Sequence, residues 1–266
     1  MKRFWDVLLW FPVLIFILII ALCLTGLFCS KNIIRDYGPL GTFLVALVAV
    51  WAGFLPDIRS HRNKPELNVR LLEHPPDSLK ESVQYIVPKP PIVEIVQAKR
   101  YMFRLWVFNE GHARAEKVQV FADKLKKKSV DGKFVDVNEF LPMSLVWSNT
   151  GTTGQAKRGE AFLEGISPRM GQHCDIGHIN EPDVRKDVPD EQHPNVPQDK
   201  TLLALDVQFR HSEMGYLLEP GSYELHLKIS AASSPPVSRI VRITLSGGWD
   251  GTPEKMYRDH AKVGVV

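Results

Sequence analysis

From Val7 to Ser30 no charged residue interrupts a run dominated by Leu, Ile, Val and Phe, and a second uncharged run extends from Tyr37 to Pro56. Beyond Arg59 the pattern changes to alternation of apolar and polar positions. The first pattern predicts helices apolar on every side, the second strands with one face in a core and the other in water. At 1.5 Å rise per residue, runs of about 24 and about 20 residues match the roughly 30 Å hydrocarbon core of a bilayer, so each is expected to be a transmembrane helix. Lys31, Asn32, Arg35 and Asp36 lie between the runs, which predicts a polar turn and an antiparallel hairpin over residues 1–59. A cleaved signal peptide is the competing reading of the first run, because Lys2 and Arg3 precede it. Its apolar stretch is too long for that, and a second follows at once.

Orientation follows from the basic residues beside the two runs. Lys2 and Arg3 before the hairpin share a side of the membrane with Arg59, Arg62, Lys64 and Arg70 after it, against Lys31 and Arg35 in the turn. The positive-inside rule then places both termini in the cytoplasm and the chain in the cell inner membrane, with the lipid bilayer as its first partner. Within the second run, Thr42, Ala46, Ala49 and Gly53 share one helical face. Such small residues let helix backbones approach closely, either against the first helix or as a face for homo-oligomers.

In the globular part the alternation is clearest at Tyr223, Leu225, Leu227 and Ile229. Leu203 to Phe209 and Val118 to Ala122 follow the same period, and Leu67–Leu72, Met102–Phe108, Leu145–Trp147, Cys174–Ile179 and Arg239–Leu245 are further strand candidates. Turn signals at Asn109–Gly111, Asp131-Gly132, Pro220-Gly221 and Ser234–Pro236 separate them. Short strands without amphipathic helices predict an antiparallel β-sandwich. The expected fold is thus a membrane α-helical hairpin plus an all-β, antiparallel immunoglobulin-like β-sandwich: residues 60–100 form a Pro-rich connector with the first strand, 101–250 the sandwich and 251–266 a C-terminal tail. Asn149–Gly159, rich in Gly and Thr, reads as a mobile loop, and Asn180–Lys200, with four prolines and little apolar content, as a long excursion or disordered loop.

The stretch Arg104-Leu105-Trp106-Val107-Phe108-Asn109-Glu110-Gly111, followed by Ala113, Ala115 and Val118, resembles the strand, Asn-x-Gly turn and next strand of a recurring group. The group comprises uncharacterised prokaryotic membrane-anchored proteins with two transmembrane helices and an immunoglobulin-like β-sandwich. Pro220-Gly221-Ser222-Tyr223-Glu224-Leu225, and Pro236-Val237-Ser238 through Gly248-Trp249-Asp250, resemble its closing strands. The resemblance covers most of residues 66–250. It implies a fold and a membrane tether, and no activity, catalytic residue or cofactor.

Composition narrows the function classes. The chain has 33 basic and 30 acidic residues. Residues 1–59 hold 5 basic and 3 acidic ones, which leaves 28 against 27 for the rest. So even a balance argues against nucleic acid as a partner, because binding a polyphosphate needs a concentrated cationic excess. Cys23 and Cys29 fall in the first run, leaving Cys174 alone in the globular part without a partner for a disulfide.

His173, Cys174, Asp175 and His178 form a cluster with metal-ligand chemistry, but in a regular strand Cys174 and His178 would share a face about 13 Å apart, with His173 on the other. An ordinary strand with a buried Cys is the expected reading, with no metal and no cofactor. Lys124, Lys126, Lys127 and Lys128 make a basic run before the Asp131-Gly132 turn, read as a solvated hairpin tip or as a contact with anionic lipid. The Gly151–Gly159 loop lacks the Gly-Lys-Ser/Thr ending of a phosphate cradle, no nucleophile elbow occurs, and Glu110 beside His112 fits turn chemistry, so an enzyme is not expected. If Phe103, Leu105 and Val107 face the core, then Arg104, Trp106 and Phe108 project from the opposite face, where they either bind a protein or peptide or are covered by the long connector or the C-terminal tail. The expected function is a membrane-anchored cytosolic module that binds a protein or ligand, with a self-associating, membrane-perturbing effector as the alternative.

Overall fold

The computed structural model describes residues 64–89, 92–148, 161–188, 191–232 and 234–266, together with Phe43, Ala46, Leu47, Ala49, Val50, Trp51, Gly53 and Phe54. The chain divides into two units, Met1–Asn63 and Lys64–Val266. In the first, those eight residues between 43 and 54 are helical. Among the described residues no helix is long and apolar enough to cross a membrane. That finding overturns the expected transmembrane hairpin, and with it the two spans, the inner-membrane location and the cytoplasmic placement of both termini. The expectation rested on run length and missing charge alone, whereas a span also requires one unbroken apolar helix. Val7–Ser30, most of Tyr37–Pro56 and Thr42 lie outside the described residues.

The second unit is built from strands, in chain order β1 (Leu67–Arg70), β2 (Ser78–Lys89), β3 (Ile92–Asn109), β4 (Ala115–Lys128), β5 (Phe134–Asp136), β6 (Met143–Ser144), β7 (Val146–Trp147), β8 (Phe162–Ile166), β9 (Gly171–Asn180), β10 (Leu203–Leu205), β11 (Leu217–Leu218), β12 (Gly221–Ala231), β13 (Ser234–Leu245) and β14 (Ala261–Val265). Short helices α1 (Pro182–Arg185) and α2 (Pro253–Lys255) and a π-helical turn at Met256–His260 complete it. One sheet runs β1-β3-β9-β10-β11, with β2 also on β3 and β7 on β9. The other runs β14-β13-β12-β4-β5, with β6 and β8 also on β4. All pairings are antiparallel, and the expected β-sandwich is what forms.

The alternation read from the sequence places the core. Tyr101, Phe103, Leu105 and Val107 of β3 meet Val118, Val120, Ala122 and Leu125 of β4 and Tyr223, Leu225, Leu227 and Ile229 of β12 in one buried cluster. The step from Ala122 to Leu125 breaks strict alternation because the β4–β12 register shifts between His226 and Leu227, a bulge that re-aims the side chains beyond it.

The turn after β3 is fixed by the buried Asn109. Its Oδ1 accepts from the Glu66 and Gly111 amides, and its Nδ2 donates to Ala113 and Ile166 carbonyls at 2.7–3.0 Å. A Cβ at Gly111 would sit 2.3 Å from the Lys64 carbonyl oxygen, so only glycine lets the two backbones approach there.

Two segments differ from the reading of the sequence. Residues 251–266 are no loose tail: β14 pairs with β13 from Val241↔Val265 to Leu245↔Ala261. Residues 181–188 and 191–200 fold back onto the sheet and bury Val184, Val188 and Val196. The apolar content is small, but Arg185, also buried, donates from its guanidinium to the carbonyls of Val196, Pro197 and Lys200, which satisfies the loop's own backbone. Asn149–Gly159 lies outside the described residues.

Candidate functional site

A bulge organises the outer face of the first sheet. Phe103 pairs with Gly177 and Arg104 with Asp175, so Ile176 is an extra residue in β9. Cys174 therefore pairs with Leu105 inside the core, while His173, Asp175 and His178 pair with Trp106, Arg104 and Met102 on the opposite face. The regular-strand expectation for the His-Cys-Asp-His cluster thus fails: Cys174 and His178 do not share a face, and the two histidines do.

His178 is the centre of a buried polar network. Its Nδ1 lies 2.9 Å from Asp206 Oδ1 and its Nε2 2.9 Å from Glu191 Oε1. Asn180 Nδ2 donates to both Glu191 oxygens at 2.7 and 2.8 Å and to the Tyr85 hydroxyl at 2.7 Å. Nearby, Arg100 pairs with Glu81 at 2.5 Å, and Ser148 Oγ donates to Asp175 Oδ1. Burial alone would depress the His178 pKa, but the charges and hydrogen bonds of Asp206 and Glu191 reverse that and push it up to about 9. Burial would likewise raise Asp206 and Glu191, and His178 holds both below the usual carboxylate range. Asp175, half-buried, is pushed up to about 6 by desolvation and by the charge of Asp206.

Chemically this is an imidazolium clamped between two carboxylates. Both ring nitrogens are used, so His178 has none with which to take a substrate proton. Burial raises the Cys174 thiol well above its usual value, and Sγ donates to the Val146 carbonyl at 3.3 Å, which opposes thiolate chemistry. Among the described residues no group of His, Cys, Asp and Glu could hold a metal ion. The network instead fastens Glu191 to β9 through His178 and Asn180, and Asn180 in turn ties β9 to Tyr85 of β2.

No family model matches the chain, and neither a curated protein nor a solved structure does.

Phe103, Leu105 and Val107 are core, and Arg104, Trp106 and Phe108 on the other face are half-buried. Arg104 donates to the Pro76 carbonyl at 2.7 Å. The Trp106 and His173 rings contact each other with centroids 4.6 Å apart and planes tilted by 60°, the Arg70 guanidinium lies 5.7 Å from the Trp106 ring, and His173 Nε2 meets the buried Asp77 at 2.9 Å. The segment between β1 and β2 thus contacts this face. Lys124 and Lys127 are separately paired, with Asp136 at 2.8 Å and Glu219 at 2.9 Å, while Lys126 is half-buried and Lys128 exposed. Ala46, Ala49 and Gly53 are helical and exposed. Gly151–Gly159 lies outside the described residues.

What the sequence reading missed is the edge of β2. This strand pairs with β3 over its whole length, from Ser78↔Phe103 to Lys89↔Ile92. Among the described residues no strand pairs with its other side. The hydrogen-bond parity can be read from one bond: the Arg104 amide donates to the Asp77 carbonyl at 2.7 Å. In an antiparallel ladder bonded and non-bonded pairs alternate, so Leu79, Glu81, Val83, Tyr85 and Val87 bond β3, whereas Lys80, Ser82, Gln84 and Ile86 point their N–H and C=O groups away from it. Two contacts agree: the Ser78 amide bonds His74 instead of β3, and Lys99, opposite Ser82, accepts from the Glu181 amide on its far side.

Side chains on this ribbon divide in the same way. Val83, Tyr85, Val96 and Ala98 pack toward Val184 and Val188. On the other face Ile86 and Ile95 stand directly opposite each other, 67% and 63% exposed. Pro88 ends the outward donors, and between Ser82 and Val87 the edge carries no charge. Alternation in Ser82–Val87 was the available signal, but the flanking prolines read as connector.

Proposed function

We propose that the protein is an interaction module that accepts an extended polypeptide strand along the outer edge of β2. The observation that carries this reading is the row of outward N–H and C=O groups at Ser82, Gln84 and Ile86, uncharged and beside an exposed isoleucine pair. Sheet edges of this kind are templates for another strand, and proteins usually blunt them with charge, proline or cover. Among the described residues such blunting stands at the ends of β2, at Lys80 and Pro88. Backbone bonds would supply affinity, each worth roughly 0.5–1.5 kcal/mol net. Alternate side chains of the incoming strand would read the Ile86–Ile95 face, which favours apolar, β-branched residues there and excludes proline at paired positions.

The test is selection of displayed ten-residue peptides on the full-length chain. Selected sequences should alternate apolar positions, and Gln84→Pro should abolish their binding. That variant removes an outward donor but no β3 bond, a position where a strand tolerates proline, so its circular dichroism should stay native. Peptides that bind Gln84→Pro as well as wild type would overturn the reading.

A further inference from the structure

We infer that the strand accepted by β2 is the β2 of a second copy of this chain, antiparallel about a two-fold axis through Ile86. The inference rests on the strand-accepting reading and adds its occupant. An isologous pair needs one surface that complements itself. The β2 edge does so at Ile86. Its outward N–H and C=O groups would exchange two bonds with the same groups of the second copy, and on either side Gln84 would donate to the carbonyl of Pro88, which has no N–H to return, so the Gln84 carbonyl stays with water.

The side chains give the stronger reason. Ile86 and Ile95 are cross-strand neighbours on one face and more than half exposed. Pairing at Ile86 places Ile95, Ile86 and their two counterparts in one continuous row across four strands spaced about 4.8 Å apart. Each isoleucine pair then covers the other, which removes apolar surface from water on both copies at once. No charged side chain of β2 lies between Ser82 and Val87, so like charges do not meet at the axis. An axis at Gln84 would form more backbone bonds, yet it sets Ile86 against Ser82 of the second copy and leaves both isoleucine pairs in water.

The experiment measures the mass of the full-length chain by sedimentation velocity. Wild type should be a dimer. Ile86→Lys and Ile86→Glu each place like charges across the axis and should be monomers with native circular dichroism, since the side chain is exposed in the single copy. An equal mixture of the two should restore the dimer, and added salt should weaken it. Dimers that persist in Ile86→Lys, or a mixture that stays monomeric, would overturn the proposal. So would rescue by the same charge pair at Gln84 in place of Ile86. A wild-type monomer whose selected peptides still require an unblocked Gln84 would sink the second copy as occupant and leave the strand-accepting reading standing.

Discussion

Replacing Glu191 by alanine tests the buried clamp. The side chain is 2% exposed and accepts from His178 Nε2 at 2.9 Å and from Asn180 Nδ2 at 2.7 and 2.8 Å. Its removal leaves the imidazolium with Asp206 alone and strips Asn180 of two contacts. Breaking a buried charge pair by deleting one partner costs about 3–5 kcal/mol. The His178 pKa gives a second measure: a rise from 6.5 to about 9 corresponds to about 3 kcal/mol. Because the folded value is raised, this stability is fully present below pH 6.5 and is lost as pH climbs through 9. Glu191 and Asp206, both depressed, stay ionised over that window. Asp175, raised to about 6, contributes stability at low pH that is largely gone before the window opens. Urea and thermal unfolding from pH 5.5 to 9.5 should therefore show wild type weakening between pH 6.5 and 9, and Glu191→Ala less stable by about 3 kcal/mol at pH 6.5 with a flatter slope. For a unit of this size that is about 6–12 °C in Tm. Glu191→Gln should keep part of the stability but lose the slope. A loss below about 1 kcal/mol with an unchanged pH slope would refute the clamp.

Asn109→Ala should cost about 3 kcal/mol, since four backbone groups lose their partner at the Asn109–Gly111 turn; chemical denaturation checks it, and a neutral result would contradict the turn geometry. Gly177→Ala should destabilise by at least about 2 kcal/mol or shift the β9–β10 pairing, because a Cβ there would lie 2.4 Å from the Ala204 carbonyl oxygen, which is backbone and has little room to yield; Tm and amide exchange at Ala204 and Leu205 report it. Cys174, fully buried with its thiol pKa raised, should resist aqueous thiol reagents until urea unfolds the sheet; its labelling at native rates of an exposed thiol would place it elsewhere.

Strands whose apolar period matched their burial were legible in the sequence. β12, with Tyr223, Leu225, Leu227 and Ile229 on one face, needs nothing beyond alternation, and the same holds for the core half of β3. Prolines hid β2. At Pro88 the backbone points away from β3, so a missing N–H costs the ladder nothing, and the strand continues where a connector is expected. β14 was hidden by its length of five residues, too short for a period to stand out. The polar site was illegible for another reason. His178 meets Glu191 and Asp206 only because a bulge at Ile176 reverses the side-chain faces of β9 and a loop poor in apolar residues is held down by charge. Periodicity carries no information about either. The apolar runs before Arg59 carried information about length and charge but none about an unbroken helix, and there the expectation of two spans failed.

Amide hydrogen exchange along β2 tests the open edge most directly. In dilute full-length protein the amides of Gln84 and Ile86 should exchange rapidly, while those of Val83, Tyr85 and Val87, bonded to β3, exchange slowly. Excess of a synthetic peptide copying Ser78–Lys89 should slow Gln84 and Ile86 by at least about tenfold and leave the alternate residues unchanged. Fast exchange at Gln84 and Ile86 under saturating peptide, or slow exchange there without it at every dilution, would contradict a β2 edge open to a strand.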